Sequence, residues 1–397
     1  MIFPLFTRQK DANFPFLTYL RTAISPAILI CLPLLFFITS CNRDANFDFS
    51  DQGYEKSLTI NYATGLRIWK ISDGFRVQVR NPQDTSEVLG TYLLSQNPDA
   101  SPDSIPYTAR VQIPVKNAAL NSTTFVPFFS KINESNRIGG ITYTDLIVNE
   151  DIKTLISAGE IVELTSGGEL DYEKVLALNP DIFMAYRYGE SNFERYIDKG
   201  IPVVMNMEYL ETSPLGRAEW IKLVGCLTGK YDESVKIFER IEDEYTDLRE
   251  LASKADSQPR VFTGMTYGSN WFAQGNKSYV AQYIRDANGI YSFEHIEGHG
   301  SKEVDIETVF QVIKDADYWG MVASGELSYQ KILNTDKRFT QFASFKKGQI
   351  FACNTAEVDY FGDAVMEPEK ILADMIAIIH TDLMPTHEFS YFSPVTR

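Results

Sequence analysis

The sequence predicts an α/β fold with two lobes, each built on a parallel sheet, joined by a single long α-helix and preceded by a small β-rich extension. Strand and helix patterns alternate over 107–206 and again over 259–384, as they do when crossover helices connect parallel strands. Between the lobes, the stretch from Asp232 to Lys254 has apolar residues every three or four positions, which predicts a helix with one buried face. At roughly 1.5 Å per residue, such a helix crosses one domain.

The composition limits the classes of function. The 397 residues carry 37 Lys+Arg and 53 Asp+Glu, a formal net charge of −16. Such acidity argues against nucleic acid, or an anionic membrane surface, as the main partner, because both attract basic patches. An apolar content of 44% over this length supports about two domains that each bury a core.

The first forty residues have the pattern of an export signal. Basic Arg8, Lys10 and Arg21 precede an apolar run at 22–38, which is short for a membrane span and contains two prolines. The run ends in an apolar residue, two small residues and Cys41, a segment that resembles the lipobox of bacterial lipoproteins. That resemblance implies cleavage after a 1–40 signal peptide, lipid attachment at Cys41 and location on the periplasmic side. An uncleaved membrane anchor is the alternative.

The elements after the signal follow from short apolar runs between turn residues. A polar tether at 41–56 leads into the β-rich extension at 57–106, where Ser72-Asp73-Gly74 forms a tight turn. Strands are predicted at 57–62, 66–71 and 75–80. Three prolines between 97 and 106 indicate a loop.

The two lobes and the segment between them hold the remaining elements. In lobe one, 107–206, we predict strands at 138–142, 161–164, 181–186 and 201–206 and helices at 171–178 and 192–199. The linking segment, 207–258, has a helix at 217–227, ended by Gly229, and the long helix. In lobe two, 259–384, we predict strands at 260–267, 318–323 and 349–353 and helices at 279–287, 306–313, 329–345 and 368–383, followed by a tail at 385–397.

The lobes share a short acidic pattern. Each lobe has an Asp at a helix N-cap, a Glu in the first turn, an apolar stripe, and a second Asp that opens the next strand. Helix capping accounts for acidic first turns, but it does not account for one such arrangement in each lobe. The residues are Asp171, Glu173 and Asp181 in lobe one and Asp305, Glu307 and Asp317 in lobe two.

This acidic repeat, the segment Glu-Lys-Val-Leu-Ala-Leu-Asn-Pro-Asp at 173–181 and the single linking helix resemble the helical-backbone (class III) substrate-binding lipoproteins of ABC importers. Those proteins carry ferric siderophores, haem or vitamin B12, and the resemblance covers about 110–385. It implies two Rossmann-like lobes and a monomer that delivers an iron complex to a permease dimer with its ATPase subunits, without catalysis. Glu173 and Glu307 would dock on the permease. The extension resembles an addition found in Bacteroidetes-type members.

The resemblance also implies a ligand cleft between the lobes, lined by loops that follow the strands. Aromatic side chains suit stacking on a flat ligand, and Arg187 suits carboxylate or hydroxamate oxygens. The bound ligand would be an iron chelate, haem or a corrinoid, and neither a catalytic residue nor a protein metal ligand is expected. The ligand-binding residues that it implies are Tyr143, Arg187, Tyr267, Trp271, Phe272 and His299.

Several alternatives stay open at this level. The ligand could be vitamin B12 or another corrinoid, or the chain could be an enzyme that resembles a tetrapyrrole or metal chelatase. A protein for bare Zn or Mn ions would need converging ligands, and His295 and His299 are separated by glycine-containing sequence that disfavours a helix. Cys226 and Cys353 could form a disulfide or remain two buried thiols.

Overall fold

The computed structural model describes residues 56–97, 107–187, 192–267 and 270–397. They form two lobes with parallel sheets, a long linking helix and an N-terminal sheet, so the predicted fold class is confirmed. All of them belong to one compact unit, Tyr54–Arg397. The predicted signal peptide lies outside the described residues, as do Cys41 and the rest of the predicted tether up to residue 55. Within these ranges, no helix is both long and apolar enough to cross a membrane.

The N-terminal sheet has four strands. Two of them match the predicted strands within one residue, whereas the predicted strand at 57–62 is reduced to a single bridge between Ser57 and Trp69. The last strand lies beyond the predicted end of the extension and pairs in parallel with the third. In sheet order the strands are β1 (Leu66–Ile71), β2 (Gly74–Asn81), β3 (Asp84–Ser95) and β4 (Ala109–Gln112).

Two buried carboxylates bind the backbone at the end of the first predicted strand and directly after it. The carboxylate of Glu219 accepts hydrogen bonds from the backbone N–H groups of Asn61, Tyr62 and Ala63 at 2.7–2.9 Å. The carboxylate of Glu211 accepts the next two backbone N–H groups along the chain. A backbone N–H that is bonded to a side chain is not available to a strand ladder. We call Glu211 and Glu219 the carboxylate clamp.

Lobe one is built on a five-stranded parallel sheet in the order β11-β10-β5-β6-β7. Its inner strand β10 is buried along its whole length, as expected of a strand with helices on both faces. The strands are β5 (Ala118–Leu120), β6 (Ile138–Ile141), β7 (Val162–Glu163), a hairpin of β8 (Thr165–Ser166) and β9 (Glu169–Leu170), β10 (Ile182–Ala185) and β11 (Val203–Met205). The helices are α1 (Val126–Ser130), α2 (Glu150–Ser157), α3 (Tyr172–Leu178) and α4 (Glu194–Ile197).

Three helices connect the lobes: α5 (Pro214–Ala218), α6 (Ile221–Thr228) and α7 (Tyr231–Ala252). The linking helix α7 has 22 residues and begins within one residue of the predicted start. Its buried positions include Phe238, Ile241 and Tyr245, at the predicted spacing. The single helix predicted at 217–227 is instead two helices, of which the first starts earlier, at Pro214, after a Ser213 side-chain cap.

Lobe two contains a five-stranded sheet in the order β15-β12-β17-β18-β19, parallel except for β19, and a small antiparallel sheet in the order β13-β14-β16 that we did not predict. The strands are β12 (Arg260–Thr263), β13 (Thr266–Tyr267), β14 (Asn270–Gln274), β15 (Ile290–Tyr291), β16 (Ser301–Asp305), β17 (Tyr318–Ala323), β18 (Ile350–Asn354) and β19 (Ser393–Pro394). The helices are α8 (Tyr279–Asp286), α9 (Ile306–Ile313), α10 (Tyr329–Thr335), α11 (Ala343–Lys347) and α12 (Pro368–Ile379).

One predicted helix of lobe two, 329–345, is interrupted. Asp336 adopts an extended backbone, with φ −155°, and its carboxylate accepts from the N–H of Arg338. An Asp in that conformation starts a new helical segment rather than continuing the old one. The chain therefore runs from α10 through a short 3₁₀ helix into α11.

The last residues belong to lobe two rather than to a free tail. The fully buried carboxylate of Asp374 accepts from the backbone N–H groups of Tyr391 and Phe392 at 2.7 and 2.9 Å. His387 Nε2 lies 2.7 Å from the same carboxylate. These contacts position β19 beside β18. Cys226 and Cys353 are both buried and free, so the disulfide alternative is not realised.

Candidate ligand cleft and docking surface

The loops after the carboxyl ends of the two sheets contact each other. Thr123, three residues after β5, donates from Oγ1 to the carbonyl of Phe361, which follows β18, at 3.3 Å. Asn149, which follows β6, donates to Asp363 at 3.1 Å. Parallel sheets bind ligands at the carboxyl ends of their strands, so the space between these two edges is the candidate cleft.

Lobe one presents two tyrosines at this edge that the sequence analysis did not single out. Tyr186 follows β10 and Tyr209 follows β11, and both side chains are partly exposed. Their rings meet edge to face with centroids 5.5 Å apart, and Tyr186 also contacts the buried Phe125. The backbone N–H of Tyr186 donates to Asn121 at 3.1 Å. The signal that could have found them is their position in the segments that follow strands of the parallel sheet, directly after β10 for Tyr186 and four residues after β11 for Tyr209.

Arg187 follows Tyr186 at the same edge. Its guanidinium is half exposed and lies 3.2 Å from the carboxylate of Glu87, which belongs to β3 of the N-terminal sheet. Tyr209 donates its hydroxyl hydrogen to the Arg187 carbonyl at 2.7 Å, which fixes the backbone. The structure therefore places Arg187 where an anionic ligand could reach it, and it adds a neighbouring carboxylate that the sequence did not predict.

Tyr143 follows β6 and is partly buried in a left-handed conformation, with φ 58°. Its hydroxyl donates to the carbonyl of Gly168 in the β8–β9 hairpin at 3.1 Å. Burial, and then the charge of Glu163, raise the pKa of Tyr143 above its ordinary value. The side chain is thus a neutral group that is held towards its own lobe.

The aromatic residues predicted in lobe two lie on different sides of β14. Trp271 is fully buried and packs against Phe262 and Trp319, and its indole N–H donates to the Thr263 carbonyl at 3.3 Å. The next residue, Phe272, points to the opposite face because successive side chains of a strand alternate, and it is partly exposed. The structure therefore places Trp271 in the core of lobe two and Phe272 nearer the surface, while Tyr267 lies in β13.

His299 lies in the loop between β15 and β16 and is partly buried. Burial, and then the charge of Lys277, lower its pKa, so the imidazole is neutral at pH 7. The segment from His295 to His299 forms turns and bends instead of a helix. In the described part of the chain, no group of three or more His, Cys, Asp or Glu residues is arranged to hold a metal ion.

A buried ion pair in the linking segment also contacts lobe two. Arg217 of α5 donates to Glu208 at 2.7 Å, and the Glu208 carboxylate is fully buried. The same guanidinium lies 4.2 Å from the ring centroid of Tyr279, at the start of α8. A paired and stacked Arg fixes the geometry between two elements. The arrangement holds α8 against the linking segment.

Two carboxyl groups of lobe two have raised pKa values. Burial, and then the charge of Asp363, raise the pKa of Asp359 to about 6. Burial, and then the charge of Glu367, raise the pKa of Glu369 to about 7. Both groups thus hold protons in the folded protein at a pH at which an ordinary carboxyl group has lost them.

We expect Glu369→Gln to stabilise the protein increasingly, relative to wild type, as the pH rises from about 5 to about 7. Between the unfolded pKa and the folded value of about 7, the unfolded chain releases the proton of Glu369 while the folded chain keeps it, so wild type loses stability as the pH rises and the variant does not. Above the folded value the difference levels off. Urea unfolding of both proteins across this range measures the difference. Glu250→Gln, at an exposed position of α7, is the control, and a difference that does not vary with pH would contradict the assignment.

The acidic repeat has the same structural setting in both lobes. The N–H of Asp181 donates to the carbonyl of Asn117 before β5, and that of Asp317 donates to the carbonyl of Arg260 in β12, both at 2.8 Å. Each carboxylate accepts a hydrogen bond from the backbone of the same strand start, from Asn117 at 3.0 Å in one lobe and from Arg260 at 3.0 Å in the other. In both lobes, the helix that carries the acidic first turn therefore leads into the strand that pairs with the first strand of the sheet.

Glu173 and Glu307 occupy matching positions in this setting. Each is exposed in the first turn of its helix, α3 or α9. Asp171 and Asp305 cap these helices through their side chains. The capping role is thus filled by the aspartates, and the two glutamates are left on the surface.

Comparisons with known proteins agree with this architecture. A model of the periplasmic binding protein family matches residues 128–356. An uncharacterized lipoprotein of Methanocaldococcus jannaschii is 26% identical over 293 residues, which are 71% of this chain and 69% of that protein. The apo structure of a periplasmic heme-binding protein of Roseiflexus sp. RS-1 matches with a TM-score of 0.55 at 15% identity, covering 68% of this chain and 99% of that one.

A protein of an ABC-type Fe3+-hydroxamate transport system from Saccharomonospora viridis matches with a TM-score of 0.53 at 14% identity, covering 67% of this chain and 94% of that one. At these identities the solved structures show the fold. The matching family is one of binding proteins, which argues against the chelatase-like enzyme. The family match spans more than half of the chain, and the chain belongs to the periplasmic binding protein family.

Proposed function

We propose that this protein captures an iron complex, a ferric siderophore or haem, between its lobes and delivers it to an ABC permease with its ATPase subunits. The observation that carries the proposal is the cluster of Tyr186, Tyr209 and Arg187 at the carboxyl edge of the lobe-one sheet. Paired aromatic rings offer a stacking surface for a large flat or chelate ligand. A half-exposed guanidinium offers a bidentate partner for its anionic oxygens.

The other predicted ligand residues differ in how directly they would contact the ligand. Phe272 adds a partly exposed ring from lobe two, and Tyr143 and His299 offer neutral polar groups. Trp271 supports the site from the core instead of contacting the ligand. Tyr267 remains a proposed contact because it follows the first strand of lobe two.

Delivery is proposed to use Glu173 and Glu307. The two lobes present these exposed carboxylates at matching positions, and an importer permease has two equivalent subunits. One carboxylate could therefore enter a basic pocket on each subunit, where a desolvated charge pair is stronger than on a free surface. Neither glutamate lies in the ligand-binding cluster, so docking and capture can be separated by mutation.

We also propose that the protein is exported, anchored by a lipid at Cys41 and monomeric. The sequence of the signal supports the anchor, and so does the similarity to a protein named as a lipoprotein. A lipid on a tether would keep the binding unit near the permease.

The ligand can be identified by purifying the tagged protein from the membrane of its own organism, without denaturant, and recording absorbance and native mass spectra. We expect a complex with one ligand per chain, and a Soret band would identify haem, whereas a ferric charge-transfer band would identify a siderophore. Corrin absorbance would favour vitamin B12 instead. Failure to retain a ligand, together with failure to bind haem, a ferric trihydroxamate or cobalamin in titrations, would contradict the proposal.

A further inference from the structure

The N-terminal sheet reaches the edge of lobe one where the ligand is proposed to bind. The second half of β3 is buried, and its Tyr92 accepts a hydrogen bond through the hydroxyl oxygen from the N–H of Met205, at the end of β11, at 2.9 Å. The first half of β3, Asp84–Val88, is exposed. The exposed half extends beyond β11 and brings Glu87 to Arg187.

The tip of the β2–β3 hairpin is held in this position. Register shifts at Val79–Asn81 bend the pairing of β2 with β3, as β-bulges do. Arg80 donates to the carbonyl of Thr85 at 2.8 Å, and Asn81 donates to Glu87 Oε2 at 2.8 Å. The second oxygen of Glu87, Oε1, is the one that lies 3.2 Å from the Arg187 guanidinium.

The start of β1, which lies beside the end of β2, is also fixed. The carboxylate clamp binds the chain just before β1 to the linking segment, with both carboxylates buried. The sheet is thus attached to the linking segment before β1 and to β11 through Tyr92. The fold therefore holds Glu87 in its position next to Arg187.

We infer that the N-terminal sheet is a specificity element of the cleft, in which Glu87 acts as a built-in counter-ion that competes with anionic ligands for Arg187. This inference rests on the proposed function. Both partners are about half exposed, and exposed pairs are weak enough to be exchanged. A ligand group of high negative charge has to displace Glu87 from Arg187 and is repelled by the Glu87 carboxylate. A neutral chelate is not repelled in this way. The sheet therefore biases the cleft towards complexes of low net negative charge.

The test compares wild type with Glu87→Gln, using a trianionic ferric tris-catecholate and a neutral ferric tris-hydroxamate as probes in fluorescence titrations. We expect Glu87→Gln to bind the tris-catecholate about threefold to tenfold more tightly and the tris-hydroxamate unchanged. Asp84→Asn removes an equal charge from the same exposed hairpin, where its carboxylate bonds to Ser86 instead, and serves as the matched control. If Asp84→Asn gives the same gain in affinity, or if Glu87→Gln gives no gain in affinity for either probe, the inference is overturned. In both cases the proposed function stands.

A second measurement does not depend on any chelate. Phenylglyoxal modifies exposed guanidinium groups, and peptide mass spectrometry can follow its rate at Arg187. We expect Glu87→Gln to raise this rate at least about twofold, and Asp84→Asn to leave it unchanged. If wild type binds neither chelate, the labelling rate alone decides: an unchanged rate in Glu87→Gln overturns this inference, whereas the proposed function still depends on the titrations with haem and cobalamin.

Discussion

Replacing both Glu173 and Glu307 by Gln is expected to lower import of the iron complex about tenfold or more without changing the affinity of the purified protein for its ligand. Each glutamate is exposed at a matching position of its lobe. Loss of one partner from a desolvated charge pair costs about 2–5 kcal/mol, and the double variant loses both pairs. Each single variant should retain intermediate transport. Uptake of ⁵⁵Fe-labelled chelate by cells with the variant on the chromosome measures the effect.

The control for this experiment is a double variant at other exposed, acidic first-turn positions. Glu150→Gln in α2 and Glu194→Gln in α4 remove the same charge from comparable sites. Unchanged uptake in the Glu173→Gln/Glu307→Gln double variant would contradict the assignment of these glutamates to permease docking. A parallel loss of ligand affinity would instead show that these glutamates support the cleft.

Replacing Glu219 by Ala is expected to destabilise the protein by about 3–5 kcal/mol, as removal of one partner from a buried ion pair does. The substitution leaves the backbone N–H groups of Asn61, Tyr62 and Ala63 without their acceptor. It also leaves the buried ammonium of Lys222 without the carboxylate at 2.7 Å. A buried donor without an acceptor is destabilising, because it has lost its hydrogen bonds to water and has gained none in the protein.

Hydrogen exchange and thermal unfolding together test the Glu219 prediction. Amide protection in the first strands, β1 and β2, should fall more than protection in β12 and β17, because the clamp holds the N-terminal sheet. Glu239→Ala, at an exposed position of the same linking region, is the control. Equal melting temperatures for the two variants would show that the clamp contributes little.

The elements that the sequence predicted well are those with a local signal. The linking helix α7 was recognised from its apolar spacing, and α9 and β17 were predicted with their observed bounds. In the two helices, buried side chains recur with the helical period, and β17 is a short, largely apolar run that follows an Asp. The turn before β2 was recognised in the same way, from residues that a tight turn requires.

The features that were missed depend on distant parts of the chain. Residues 57–62 have the composition of a strand, but the carboxylate of Glu219, more than 150 positions away, accepts from the N–H groups of Asn61 and Tyr62. The helix at 329–345 was interrupted by one Asp whose conformation the pattern did not reveal. Trp271 was expected to contact the ligand, yet it is buried in the aromatic core around Trp319. Glu87 and Arg187 are brought together only by the attachment of β3 to lobe one.

The central claim is that a metal complex binds between the two lobes, at the cluster of Tyr186, Tyr209 and Arg187. The anomalous difference map of a crystal of the natively purified complex, recorded at the iron edge, tests it most directly. We predict one iron peak between the carboxyl ends of β10 and β12, within contact distance of the ligand atoms that meet Arg187. A single peak elsewhere, for example beside His295 and His299 with no organic ligand around it, would contradict the account.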